Sequence, residues 1–349
     1  MPILTTTIGA YPKPDYVPVP NWFDMGELRR AAPTTAYEEI LANQDRAHAE
    51  KLDRGVREVV IEQDEVGIDI PTDGEVRREH YIYYHCRRLK GFDFDGLTAK
   101  EMRDGSWTAR VPTITGPVSA GSAFLPQDWK TAQEVTDKPV KITVPGPLTI
   151  MDSTANAHYA DEATLAFALG DALNTEIRRL AEAGCRWIQV DEPIFARQPE
   201  KALNFGLDAL ARCFAGVPQH VQRVVHMCCG YPSDLDMDEY PKAEPQAYFD
   251  LLKGLDQAPV DCVSIEDAHR SNDLTLLESA SRLSIILGLV DVSKTAVEPV
   301  EAIRDRIRMA LEHIDKDRLL AGPDCGLAML PRDLSMQKLR NLVAAARSV

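Results

Sequence analysis

The stretch Val224–Pro232, VVHMCCGYP, passes abruptly from β-forming residues to a histidine, two cysteines and a glycine. Residues i and i+2 of a strand project to the same side, so the His226 imidazole and the Cys228 thiolate can converge on one ion, while Cys229 points the other way and packs. Two ligands do not complete a zinc site. Further candidates close other apolar runs: Glu266 ends VSIE and Cys325 ends GPDC, 40 residues beyond His226 and 59 beyond Glu266 respectively. Two sulfurs, an imidazole and a carboxylate suit Zn2+ better than Mg2+ or Ca2+, which prefer oxygen shells. Taken singly, a strand-end cysteine reads as a buried hydrophobe and a strand-end carboxylate as a helix cap. The four together point to a metal.

Two thiolates and a carboxylate give a zinc site a formal charge of about −1, which makes the ion a mild Lewis acid and a poor source of hydroxide. It is better suited to a substrate thiol, whose pKa falls on coordination while the electron-rich shell preserves nucleophilicity. The reaction this implies is alkyl transfer to sulfur.

Residues from such distant points converge only if the fold brings strand ends together. Eight β-rich runs recur: LTTTIGA from Leu4, GIDIPTDGE from Gly67, KITVPGP from Lys141, WIQVDEP from Trp187, VVHMCC from Val224, CVSIED from Cys262, SIILGLVD from Ser284 and LLAGPDCG from Leu319. Helical patterns separate most of them. Leu165, Leu169, Leu173, Ile177 and Leu180 share one face before Gly184, and Val300, Ile303, Ile307, Leu311 and Ile314 repeat the pattern. Alternating strands and helices predict a parallel α/β fold, and eight strands predict a TIM (β/α)8 barrel whose chemistry lies at the strand C-termini. Asp73, Glu75, Asp191, Glu192, Asp267, Asp291 and Asp324 stand at those ends with the four ligand candidates. Proline-rich residues 11–33 read as an irregular N-terminal arm over the barrel mouth, and residues 107–120, WTARVPTITGPVSA, as an inserted two-strand β-hairpin. One domain spanning 1–349 is the simplest organisation.

The bulk numbers limit partners. A net charge of −15 without a Lys/Arg block argues against nucleic acid and for a small-molecule substrate. No apolar run of membrane-spanning length occurs, and MPILTTTIGA has no signal-type pattern, so a cytoplasmic location is expected. Seven scattered cysteines are expected to be free thiols or ligands rather than a disulfide framework.

TTTIGAYP, DGE, VPGPLTI, IQVDEP, HMC, SIE and GPDCGL occur in that order along nearly the whole chain. As a set they resemble the C-terminal catalytic barrel of the cobalamin-independent methionine synthase family and its shorter relatives, zinc-dependent thiol alkyltransferases. The resemblance implies a Zn2+ held by His226, Cys228, Glu266 and Cys325. It also implies a homocysteine site in which Glu75 and Asp191 hold the ammonium and the backbone of Ile8 and Gly9 faces the carboxylate. The reaction implied is methyl transfer to homocysteine to give methionine.

Several positions depart from the family pattern. Ala10 replaces the serine that often follows TIG. Residues 151–159, MDSTANAHY, lack the family's folate-stacking tryptophan, and the chain is too short for the second, folate-binding barrel of the full-length enzyme. The general-acid histidine of a D-I-H-S turn is replaced: Asp291 is retained, but Ser293 stands in the histidine's place. A corrinoid donor needs no such acid, because cobalt(I) leaves unprotonated. For other donors, Asp291 and His269, or His158, are the catalytic candidates, and Lys294 and Arg270 are candidate anion binders. The donor therefore stays open between methyltetrahydrofolate and methylcobalamin. An epoxyalkane:coenzyme M transferase-like activity and a non-catalytic zinc- and thiol-binding barrel are the alternatives.

Overall fold

The computed structural model describes residues 2–22, 31–103, 105 and 107–349. Seven parallel strands pair side by side in the order β1 (Leu4–Thr5), β10 (Leu319–Gly322), β9 (Ser284–Gly288), β8 (Cys262–Ile265), β7 (Gln222–Met227), β6 (Trp187–Asp191) and β4 (Lys141–Pro145). An eighth segment, residues 70–72, bridges Thr6 on one side and Lys141 on the other, so the sheet curls back on itself. All eight runs anticipated from the sequence are staves of this barrel.

Side-chain alternation sorts the apolar residues into two cores. Ile8, Ile70, Val224, Cys262, Ile286 and Leu320 fill the lumen. Their strand neighbours Val225, Val263, Ile285, Leu287 and Ala321 face outward into the larger core under the helices, which draws on residues from Ile3 to Ala346. Strands buried on both faces read as near-continuous apolar runs, as in CVSI and LLAG, whereas β4 and β6 interleave Lys141, Thr143, Gln189 and Asp191 with their apolar residues. Register then sets the rim: Asp191 pairs with His226, and His226 with Ser264.

The helices follow from their stripes. Leu165, Leu169, Leu173, Ile177 and Leu180 are all buried on the helix Glu162–Ala183, and each contributes roughly 1.5–3 kcal/mol relative to exposure. Asp161 caps its start by accepting the Thr164 N–H, and Gly184 ends it at φ 110°, where a side chain would be strained. The second stripe makes a shorter helix than its period suggests: Val300–Ala310 ends before Ile314, which is still buried.

The inserted hairpin is larger than expected. Residues 107–120 are not two strands but one, β3 (Trp107–Ala120), which pairs antiparallel with β2 (Leu89–Met102); β3 also runs parallel to the two-residue β5 (Ala155–Asn156). Gly116 and Pro117 lie in a bulge, where the register slips between Lys90–Ser119 and Phe92–Ile114. Gly91 faces it so closely that a Cβ there would stand 2.7 Å from the Pro117 carbonyl oxygen. The chain reverses instead next to Arg103 and Gly105, both at positive φ. The N-terminal arm is irregular as anticipated, and residues 23–30 of it lie outside the described residues. Lys13 ties its described part down by donating to the carbonyls of Val19, Pro20 and Arg78.

Candidate metal and substrate site

At the C-terminal rim, His226, Cys228, Glu266 and Cys325 each offer a ligand atom, and the four atoms lie within 4.8 Å of one another. β7 ends at Met227 and places His226 in its last turn of pleat, with Cys228 just beyond; Glu266 follows β8, and Cys325 follows β10. Ser264 engages Nδ1 of His226 at 3.0 Å, which leaves Nε2 facing Cys325 Sγ at 3.4 Å. One carboxylate oxygen of Glu266, Oε1, is buried without a partner among the described residues. A buried orphan of that kind is costly unless a cation answers it.

The electrostatics agree. The hydrogen bond with Cys325, helped by His226 and Glu266, holds the Cys228 thiol well below its usual range. That same contact and burial push Cys325 up, and burial followed by the charge of Cys228 pushes the Glu266 carboxyl up. Three acids this close, Cys228, Cys325 and Glu266, cannot all ionise by themselves, and a dication removes the conflict. The residues present fit a thiophilic metal.

His226, Cys228 and Cys325 open onto a cavity of about 280 Å3 that Ile8, Gly9, Ala10, Glu75 and Asp191 also line. Glu75 sits at φ 56°, a left-handed conformation that costs a non-glycine residue roughly 1–3 kcal/mol. Its backbone is held there by an N–H donated to Asp73 and a carbonyl that accepts from the Arg78 N–H. Thr143 donates its hydroxyl to Glu75 Oε1 at 2.7 Å, with the Arg78 guanidinium 3.2 Å away. Gln189 donates to Asp191 Oδ1 at 2.7 Å and to the Ile8 carbonyl at 2.8 Å, and Thr72 donates to the Gly9 carbonyl at 2.8 Å. Burial raises the Asp191 carboxyl to about 7. An arriving ammonium relieves that cost.

The remaining strand-end acids serve the fold. Glu192 accepts the N–H groups of Leu148 and Thr149 and the Thr149 hydroxyl, so it caps the helix Pro147–Ser153 from outside. Asp267 binds Arg306 with both oxygens, and Asp324 accepts three backbone N–H groups. His269 and Asp291 are not in the cavity lining. His269 lies behind Glu266, with Nδ1 2.7 Å from Asp324 Oδ2, while Asp291 accepts the N–H and hydroxyl of Ser293. His158 is exposed, Arg270 donates to Asn272 and Ala243, and Lys294 donates to the Met237 carbonyl.

Cys229 departs from the expectation of simple packing. It is buried, but its thiol donates to Glu266 Oε2 at 2.6 Å and stands 3.2 Å from His269 Nε2. Strand alternation ends at Met227, so it no longer governs where Cys229 points. Sequence reasoning also missed the opposite wall of the cavity. Trp22 from the arm, Trp107 from the hairpin, and Tyr81 and His80 after DGE all line it. His80 stacks on Tyr83 and meets Trp22 edge-on, and burial pushes it down to about 3, so its ring is neutral. The signal available was two tryptophans in segments that did not fit the barrel repeat.

Comparison with known proteins places this geometry. The sequence profile described as "Cobalamin-independent synthase, Catalytic domain" matches residues 3–348. A methionine synthase of Sulfolobus acidocaldarius is 31% identical over 340 residues, covering 97% of this chain and 90% of that protein. A methionine synthase of Saccharolobus solfataricus is 30% identical over 354 residues, covering 100% and 96%. Among solved structures, a B12-independent methionine synthase from Shewanella sp. W3-18-1 in complex with selenomethionine superposes with a TM-score of 0.85 at 28% identity, covering 99% of this chain and 97% of that one.

Proposed function

From the premise that this chain belongs to the cobalamin-independent methionine synthase family, we infer that it is a methyltransferase that methylates the thiol of homocysteine to give methionine. We further propose that His226, Cys228, Glu266 and Cys325 hold a zinc ion for that reaction. The observation that carries the reading is the four-residue cluster, of which His226, Cys228 and Cys325 line the same cavity as Glu75 and Asp191. The Shewanella relative, complexed with selenomethionine, supports an amino-acid thioether as product.

When bound, zinc supplies the Lewis acidity that keeps the substrate thiol deprotonated at neutral pH. The rest is done by the chain. Glu75 and Asp191 pair with the substrate ammonium and fix the amino acid relative to the cluster, which turns a bimolecular encounter into an oriented one. Ser264 sets the tautomer of His226. The donor enters from the wall of Trp22, Tyr81 and Trp107, whose flat faces suit a large planar carrier, a pterin or a corrinoid, better than a small epoxide. Seven free cysteines and a thiol-based site fit a reducing cytoplasm.

The test combines metal analysis with product mass. Purified protein is expected to carry one zinc and to convert homocysteine to methionine with methylcobalamin or methyltetrahydrofolate. Cys228→Ser and Cys325→Ser are expected to lose most of both metal and turnover. Full metal and activity in those variants, or turnover with coenzyme M in place of homocysteine, would defeat the reading.

A further inference from the structure

The two oxygens of Glu266 have unlike surroundings. Oε1 is buried and without a hydrogen-bond partner among the described residues, whereas Oε2 accepts from Cys229 at 2.6 Å and lies 3.5 Å from His269 Nε2. Behind them the chain of contacts continues. His269 Nδ1 is 2.7 Å from Asp324 Oδ2, and Asp324 Oδ1 is fixed by the N–H groups of Asp267 and Ala268 at 2.8 and 2.9 Å. Gly288 leaves room for that carboxylate, since a Cβ there would stand 2.2 Å from Asp324 Oδ1. The backbone of Glu266 is pinned as well. Its N–H donates to the Tyr248 hydroxyl, which itself donates to the Met227 carbonyl, and its carbonyl accepts from Asn272.

We propose that Cys229, His269 and Asp324 form a positioning chain that restrains one oxygen of Glu266 and thereby presents the other to the metal as a single-oxygen ligand. The proposal rests on the reading that the four-residue cluster holds zinc. Its physical basis is orientation: an aliphatic side chain with three rotatable bonds loses several alternatives when one carboxylate oxygen is hydrogen-bonded. Asp324 directly precedes Cys325, so the same chain couples two ligands that come from β8 and β10. None of the three residues lines the cavity, so they act through Glu266 and not on the substrate.

The experiment measures zinc affinity of the full chain by competition with a chromogenic chelator, alongside the absorption of the cobalt(II)-substituted protein. Cys229→Ala is expected to weaken zinc roughly ten- to a hundredfold and to alter the cobalt bands. Cys229→Ser, which keeps a donor, is expected to restore most of the affinity. Glu266→Ala weakens zinc by itself, and adding Cys229→Ala to it is expected to cost nothing more, a non-additivity that a general loosening of the core does not produce. Wild-type affinity in Cys229→Ala, or an undiminished loss in the Glu266→Ala background, overturns the proposal. His269→Gln serves if Cys229→Ala does not fold: it should weaken zinc in the same Glu266-dependent manner, and unchanged affinity overturns the proposal equally. Absence of zinc from the wild-type chain would instead defeat the metal reading itself.

Discussion

Gly9 abuts the carboxylate of Glu75 so closely that a Cβ would stand 2.8 Å from Oε1 and 3.3 Å from the Thr143 methyl. The obstacle is the far end of a side chain, so the chain can still fold if Glu75 swings away. Gly9→Ala is expected to cost binding and stability together, since swinging away takes Glu75 from the Thr143 hydroxyl and the Arg78 guanidinium. With Glu75 pairing the substrate ammonium as proposed, losing that charge-assisted hydrogen bond, about 1.5–3 kcal/mol, should raise the KM for homocysteine roughly ten- to a hundredfold. Steady-state kinetics and a thermal melt check this, and a large fall in Tm with an unchanged KM contradicts it.

Asp191 and Glu192 are neighbours with opposite duties. Asp191 lines the cavity and accepts from Gln189; Glu192 accepts three hydrogen bonds from the helix after β4. Glu192→Gln puts an amide NH2 where an acceptor is required, so it should lose about 1–3 kcal/mol of stability with little change in substrate affinity. Asp191→Asn should do the reverse: a Tm close to wild type and a homocysteine affinity at least tenfold weaker. Paired melts and calorimetric titrations with homocysteine separate the two.

This pair also shows what a linear sequence conveys. Strand ends are legible because apolar runs stop there, and the barrel makes every such end a neighbour of the others, so Glu266 and Cys325 could be joined to His226 across the chain. Alternation along β6 puts Asp191 on the side of Gln189 and leaves Glu192 beyond the strand end, but DEP by itself does not mark where that strand stops. The hairpin was misplaced because residues 107–120 supply only one of its strands, and its partner Leu89–Met102 was not read as a strand. Cys229 and Trp22 were illegible because they lie where periodicity has ended, and Trp107 because its strand lies outside the barrel repeat.

The aromatic wall supplies a third prediction. Trp107 reaches the cavity from the start of β3, whereas Glu75 and Asp191 belong to the barrel rim, so the two halves of the site can be perturbed separately. Trp107→Ala is expected to raise the KM for the methyl donor roughly two- to tenfold, the worth of one aromatic stack. Homocysteine binding, measured by titration without donor, should be unchanged. A matched loss in both would place Trp107 in the framework of the site and not at the donor.

Lys141 offers a prediction about stability that is independent of catalysis. It opens β4 at the floor of the lumen, its Nζ is fully buried with no hydrogen-bond partner, and burial pushes it down to about 7 against the smaller opposing pull of Cys262 and Asp191. The unfolded chain holds this proton up to its ordinary value near 10.4. Between about pH 7 and 10.4 the unfolded state thus binds more protons than the folded one, so this residue makes stability rise with pH across that window. Below the window both states are protonated, and the full cost, on the order of 4 kcal/mol, is present. Buried thiols such as Cys86, Cys185 and Cys262, which burial pushes up, contribute the opposite slope at alkaline pH. The comparison must therefore be a difference. With zinc saturating, urea midpoints of wild type and Lys141→Met should differ most near pH 7, with the variant more stable by up to a few kcal/mol, and should converge towards pH 10. Parallel curves would show that Lys141 finds a partner for its charge in the folded barrel.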